Sequence, residues 1–147
     1  RQVVSRFRDL WEWRVKMVGG VGKMAKDELG SFGFWFASGQ FGEDWTFPYL
    51  EAALKLSDIG RPSIHVFEHM ADIFPKHPEQ SLSCVRLFID RNSERWFFGH
   101  RDKGVWTILE QGMRHTERRV RDEAEALIHL LGSKGYLQYR ELLRKAP

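Results

Sequence analysis

Residues 32–47 read FGFWFASGQFGEDWTF, and this stretch decides the fold. It holds seven of the chain's twenty aromatic residues. Each aromatic side chain buries roughly 150–250 Å², so the stretch can nucleate a hydrophobic core. Gly39 and Gly42 interrupt it, where one helix can end and another begin. Because the rings recur at helical intervals, the pattern favours a central helix–turn–helix with inward-facing aromatics over an exposed aromatic binding surface.

Helical periodicity extends in both directions from this turn. Apolar residues recur every three or four positions, as in an amphipathic helix, and glycine or proline separates successive segments. The third segment has Asp44 as its expected N-cap and Pro48 in its first turn, and Gly132 is the expected end of the seventh. The sequence predicts an all-α fold of eight helices, over 2–18, 24–38, 44–56, 62–74, 79–91, 104–114, 117–131 and 135–145.

Length and composition indicate a single globular domain over residues 1–147. A chain of this size buries roughly two-thirds of its unfolded surface. The net charge of +3 is mildly basic and does not by itself indicate nucleic-acid binding. The single Cys84 excludes an internal disulfide, and we therefore expect a reducing, cytoplasmic environment. Since Arg1 already lies within the amphipathic pattern, we expect a C-terminal fragment of a longer protein.

The predicted helices recur in pairs. One set begins near residues 24, 61 and 104, and the alternate set begins near 44, 79 and 117. The interval of roughly 37–43 residues is close to the ~40–47 residues of HEAT and armadillo helix-pair repeats. In such repeats each pair leaves an apolar face that the next pair covers. The sequence therefore predicts an α-α superhelix, a solenoid of three helix pairs with one further helix at each end.

Residues 116–132, TERRVRDEAEALIHLLG, resemble the second helix of a HEAT repeat. The family pattern has a capping or acidic residue, then Val-Arg, then Ala, then Leu or Ile at helical spacing. The resemblance implies that Ala124 lets two helices approach closely. It also implies that Arg121 can bond to carbonyls or acids of the neighbouring repeat. The matching residues here are Thr116, Glu117, Val120, Arg121, Ala124, Leu127 and Leu131.

A broader similarity starts at residue 28, where the chain reads ELGSFGFWFASGQFGEDWTFPYLEAAL. Followed by HEAT-like helices, this stretch resembles the C-terminal helical regions of large multidomain bacterial proteins. Some of those proteins carry NTPase or sirtuin-like domains and are implicated in phage defence. The resemblance implies a helical region that senses, binds a partner or assembles, while another domain carries out the chemistry.

A possible metal motif lies in the fourth helix, where His65, Glu68 and His69 fit H-x-x-E-H. In inverted zinc proteases the two histidines bind zinc and the glutamate is the general base. No motif marks a third ligand, and the chain is too short and too helical for that enzyme class. A solvent-facing stripe that also includes Asp72 accounts for the same residues. We therefore predict no metal, no cofactor and no enzymatic activity.

A basic and aromatic region is the candidate binding surface. The segment 91–104 has no clear period and combines arginines with adjacent aromatics, and further arginines follow near 118. Arginines interleaved with aromatics can contact phosphates and stack on bases, although interspersed acids offset much of the charge. We predict a module for protein–protein or interdomain contact, with nucleic-acid binding as the alternative. The candidate residues are Arg95, Trp96, Phe97, Arg101, Arg118 and Arg119.

Overall fold

A computed structural model describes residues 2–17, 36–56, 63–91 and 103–145, and these residues are helical without any strand. The all-α prediction is confirmed for them. No helix among them has the length and apolar character needed to cross a membrane. Most of the predicted helix at 24–38 and the segment 92–102 lie outside the described residues. The described helices are α1 Gln2–Met17, α2 Glu43–Leu56, α3 Ser63–Ile73, α4 Pro78–Arg91, α5 Lys103–Met113, α6 Arg118–Ser133 and α7 Glu141–Lys145.

The described part of the aromatic stretch folds as a turn into α2. Gly39 has a φ of +68°, and glycine adopts this left-handed conformation without steric cost. The Gly42 carbonyl accepts the Thr46 N–H at 3.0 Å, so α2 begins at Glu43. Asp44 is therefore in the first turn and is not the N-cap. Pro48 lies one turn further along than predicted. The rings of Phe36, Phe41 and Phe47 are buried.

α3 buries the side that its sequence pattern predicts. Its apolar half faces the core, while its polar half remains at the surface. Buried positions are Val66, Phe67, Met70 and Ala71, and exposed ones are His65, Glu68 and Asp72. A short turn through His77 leads to α4, whose first residue is Pro78. Proline suits this first position because its fixed φ matches the helix and its missing N–H would be unbonded there anyway.

Alternate helices pack side by side and run in the same direction. α4 contacts α6, and two ion pairs join them, Glu79 with Arg119 at 2.9 Å and Arg86 with Glu123 at 2.8 Å. Residue numbers rise together along both helices, so the helices are parallel. α2 also packs on α4, and its first residue, Glu43, lies 3.6 Å from the imidazole that precedes α4.

α3 and α5 are also alternate helices in the chain, and they pack side by side in the same way as α4 and α6. Gly104 near the start of α5 lies against the backbone of Phe67. Further along, the Gln111 amide donates a hydrogen bond of 3.1 Å to the Ala71 carbonyl. The two helices are therefore also parallel, and Gly104 sets how closely they approach.

Consecutive helices α5 and α6 are antiparallel and meet at two small residues. A Cβ atom added to Gly112 would lie 2.8 Å from the Ala124 Cβ, which is closer than two carbons can pack. This contact confirms that Ala124 permits a close helix approach. Apolar residues of α2 to α7 form one continuous buried cluster.

The end of α6 corrects two predictions. Gly132 does not end the helix, which continues to Ser133, and its missing side chain leaves room for the Arg140 guanidinium. The terminating glycine is Gly135, with a φ of +97°. Its N–H bonds to the Gly132 carbonyl and the Tyr136 N–H bonds to the Leu131 carbonyl, both at 3.0 Å, which is a Schellman motif. Where one helix was predicted over 135–145, a 3₁₀ turn, Leu137–Arg140, precedes α7.

Candidate functional surfaces

α1 is attached to α2 through polar and aromatic contacts. The Trp45 indole N–H donates to the Glu12 carboxylate at 3.2 Å. The Arg8 guanidinium lies over the same indole, 5.1 Å from the ring centroid, which is a cation–π distance. The Tyr49 ring packs beside Trp45, with ring centroids 4.9 Å apart and planes inclined by 38°. One side of α1 therefore packs on the aromatic surface of α2.

Glu12 also acts on the phenol of Tyr49. Burial raises the pKa of Tyr49, and the negative charge of Glu12 and its hydrogen bond raise it further. A phenol beside a carboxylate stays protonated because its ionisation would place two negative charges together. Glu12 thus accepts from two neighbouring rings and fixes the inner side of α1.

The opposite side of α1 is apolar and exposed. Within the described residues, four of the five exposed large hydrophobic side chains are on this helix. Their spacing of four, three and three residues puts them on one side. We call this side the α1 face, and it comprises Val3 at 66% exposure, Phe7 at 38%, Leu10 at 52% and Trp13 at 52%.

A second surface is the groove between α4 and α6, with a volume of about 460 Å³. Its floor is formed by Leu82 and Val120, which are buried. The two ion pairs between these helices cross its rim. The Glu123 hydrogen bond is the main cause that raises the pKa of Arg86. The charged groups that line this groove therefore largely neutralise one another.

The structure places Arg118 and Arg119 of the predicted binding surface at the start of α6, where both are exposed. Arg118 lies 3.7 Å from Asp122 of the same helix, and Arg119 pairs with α4. The other four candidates, Arg95, Trp96, Phe97 and Arg101, lie outside the described residues. The structure therefore brings together only the two arginines of α6.

Arg121 bonds to backbone carbonyls of its own helix pair. Its guanidinium donates to the backbone carbonyls of His115 and Thr116, each at 2.7 Å. These residues form the turn that connects α5 with α6, so Arg121 secures its own helix pair. The bond to a neighbouring pair that the HEAT resemblance implies stays a prediction.

The H-x-x-E-H residues lie on the outer side of α3. The His65 imidazole is 3.8 Å from the Glu68 carboxylate, while the His69 ring meets the Phe36 ring edge-on at 5.2 Å. They line an open cleft with Asp72, Ala37 and Ser38. Within the described residues, no group of three or more His, Cys, Asp or Glu side chains is arranged to hold a metal ion. The geometry agrees with the interpretation of these residues as a polar stripe.

Sequence reasoning missed the α1 face. The sequence of α1 does contain a signal for an exposed apolar side, because its apolar residues form two separate series at helical spacing. Val4 and Trp11 belong to the half-buried side, and Val3, Phe7 and Leu10 belong to the exposed side.

Comparison of the chain with protein-family models, curated proteins and solved structures finds no match.

Proposed function

We propose that this chain is a non-enzymatic HEAT-like solenoid module that makes protein–protein or interdomain contacts through the α1 face. The observation that carries the proposal is the concentration of exposed apolar side chains on α1. Monomeric proteins rarely expose large contiguous apolar patches, and such patches commonly mark sites of interaction. We propose that the module works in the cytoplasm, where its lone thiol stays reduced.

The helix directions support the solenoid arrangement. α2, α4 and α6 form one series of parallel neighbours, and α3 and α5 form another. The consecutive helices α5 and α6 are antiparallel. An up-and-down bundle would instead place antiparallel helices beside one another throughout. Stacked helix pairs give this alternation, because equivalent helices of successive pairs lie side by side.

The charged surfaces of the described residues support interaction less well than the α1 face. Arg118, Arg119 and Arg121 each have a carboxylate or backbone carbonyl as a partner. A phosphate backbone would have to compete with those partners. The nucleic-acid alternative therefore draws no support from these three arginines. The exposed apolar atoms of the α1 face gain free energy on leaving water.

Photo-crosslinking tests the proposal in the cell that makes the protein. A benzophenone amino acid replaces Leu10 in the full-length natural chain, and a matched variant carries it at Gln80, which is exposed on α4. We expect ultraviolet light to produce a discrete protein adduct from position 10 and none from position 80. Absence of any adduct at position 10, with both variants folded by circular dichroism, refutes the proposed function.

A further inference from the structure

We infer that His115 is a pH-sensitive switch at the start of α6. Its neutral imidazole holds the turn between α5 and α6, and its protonated imidazole releases that turn. The switch is a property of the fold that does not depend on the α1 face. Three observations carry it: the hydrogen bond that the ring accepts, the way in which α6 begins, and the charges in the turn.

The imidazole of His115 accepts a hydrogen bond from the backbone. The Glu117 N–H donates to His115 Nδ1 at 3.1 Å. Only a ring nitrogen without a proton accepts such a bond, and a protonated imidazole carries an N–H donor at both nitrogens. Protonation therefore replaces an attractive contact with two N–H groups that point at each other.

The start of α6 depends on this turn. Glu117 is the N-cap residue of α6, and its carbonyl accepts the Arg121 N–H at 3.2 Å. The Glu117 side chain makes no capping hydrogen bond, so the helix start lacks the usual side-chain cap. The His115 ring holds the Glu117 N–H, and the Arg121 guanidinium holds the His115 and Thr116 carbonyls, each at 2.7 Å. Protonation of the ring removes one of these two side-chain contacts.

Protonation also changes the charge of the turn. It adds a positive charge to the turn that the Arg121 guanidinium already occupies, at the positive end of the α6 dipole. On the side of α3 the ring meets an apolar neighbour, since the Phe74 ring lies edge-on with centroids 6.3 Å apart. The other charged residues of this turn, of the α3–α4 turn and of the adjoining helix ends are Lys76, Glu110, Arg114 and Glu117, with the ion pairs Glu79–Arg119 and Arg118–Asp122.

The contact of His115 is opposite in sign to those of three other histidines. His65, His77 and His129 each have a ring nitrogen 3.6–3.8 Å from a glutamate carboxylate, and a proton on such a ring completes an ion pair. On His115 the proton breaks a hydrogen bond instead. Because imidazoles change charge between about pH 5 and 8, a measurement at Glu117 itself is needed to separate this effect from the other three.

Amide hydrogen exchange of the purified chain, measured by nuclear magnetic resonance, tests the switch. The readout is the protection factor of the Glu117 N–H, which is its exchange rate in an unstructured peptide divided by its rate in the protein at the same pH. Between about pH 7.5 and 5.5 we expect this factor to fall about three- to tenfold in wild type, as for the loss of one hydrogen bond. Wild type with the same protection factor at both pH values overturns the inference.

Two variants of His115, which is half-buried, are the matched controls. His115→Asn offers an amide oxygen that bonds the backbone N–H two residues on, as in an Asx-turn, and does not titrate, so Glu117 should stay protected at both pH values. His115→Ala offers no acceptor, so protection should be low at both. An Asn variant that loses as much protection as wild type, or an Ala variant as protected as wild type at neutral pH, rejects the switch.

A titration of wild type alone gives a second test that needs no variant. The chemical shift of the Glu117 amide proton and that of the His115 ring proton Hε1 are followed from about pH 8 to 5. We expect both to change with the same midpoint, and the amide proton to move upfield as its hydrogen bond is lost. An amide shift that does not follow the ring proton overturns the inference.

Discussion

Replacing Gly104 with alanine should separate α5 from α3. Gly104 is the second residue of α5 and is buried against the middle of α3. An added Cβ atom would lie 2.5 Å from the carbonyl carbon of Phe67, 2.6 Å from the amide nitrogen of Glu68 and 2.8 Å from the Phe67 carbonyl oxygen. These are backbone atoms inside a helix, so no side-chain rotation can relieve the overlap.

Two opposing terms set the size of the effect. Overpacking of a well-packed core costs about 1–3 kcal/mol and occasionally more, and contact with rigid backbone belongs at the upper end. Alanine recovers up to about 1 kcal/mol of helix propensity over glycine. We therefore expect Gly104→Ala to lower the free energy of unfolding by about 2 kcal/mol. For a domain of this length the melting temperature should fall by about 4–8 °C.

Urea unfolding followed by far-ultraviolet circular dichroism measures the change. Lys103→Ala is the matched control, because it places alanine at the neighbouring exposed position in the same turn and should shift stability by less than about 0.5 kcal/mol. If Gly104→Ala unfolds at the same urea concentration as this control, the close approach of α3 and α5 is refuted.

Two further predictions concern the contact of α5 with α6 and the buried thiol. Gly112→Ala should destabilise the fold by about 1–2 kcal/mol, because its Cβ atom overlaps Ala124. Adding Ala124→Gly removes that overlap, so the double variant should be more stable than the sum of the two single effects predicts. Purely additive changes in the urea midpoint would contradict this coupling. Burial raises the pKa of Cys84 well above its ordinary value, and the negative charge of Glu51 raises it further. Since the unfolded thiol ionises near ~8.5, the unfolded state releases that proton first and stability falls as pH rises above this value. Cys84→Ala should show a smaller fall between pH 8 and 10, and an unchanged fall would rule out this contribution.

The elements that sequence predicted well are those whose burial follows a single period. α3 is an example, since Phe67 and Met70 lie on the apolar half and are buried, while Glu68 lies on the polar half and is exposed. The aromatic turn behaves similarly, because Phe36 and Phe47 are at helical intervals and both face the core. In these cases one repeating physical requirement, removal of apolar surface from water, determines both the helix and its orientation.

The features that sequence did not predict depend on tertiary contacts, or on a choice between two local signals of equal strength. Gly132 and Gly135 are both plausible helix ends, but it is Gly135 that takes the left-handed φ of +97° and donates its N–H to the Gly132 carbonyl. Asp44 suits an N-cap and a first helical turn equally well, since both positions favour an acid. Gly104 had no local signal, because its importance arises from the backbone of α3, about forty positions away in the chain.

The contrast between Gly104 and Leu10 separates the contacts that stabilise the fold from the surface proposed for binding. The α3–α5 and α5–α6 contacts rely on backbone approach and on a continuous buried core, so changes there act on folding. α1 instead contacts α2 through Glu12, Arg8 and the indole of Trp45, and its outer side is half exposed in the monomer. Lysine at Leu10 can extend into water without breaking any of these contacts. Partner binding through the α1 face should therefore be separable from folding, and Leu10→Lys should weaken crosslinking to the proposed partner while its urea midpoint stays at the wild-type value.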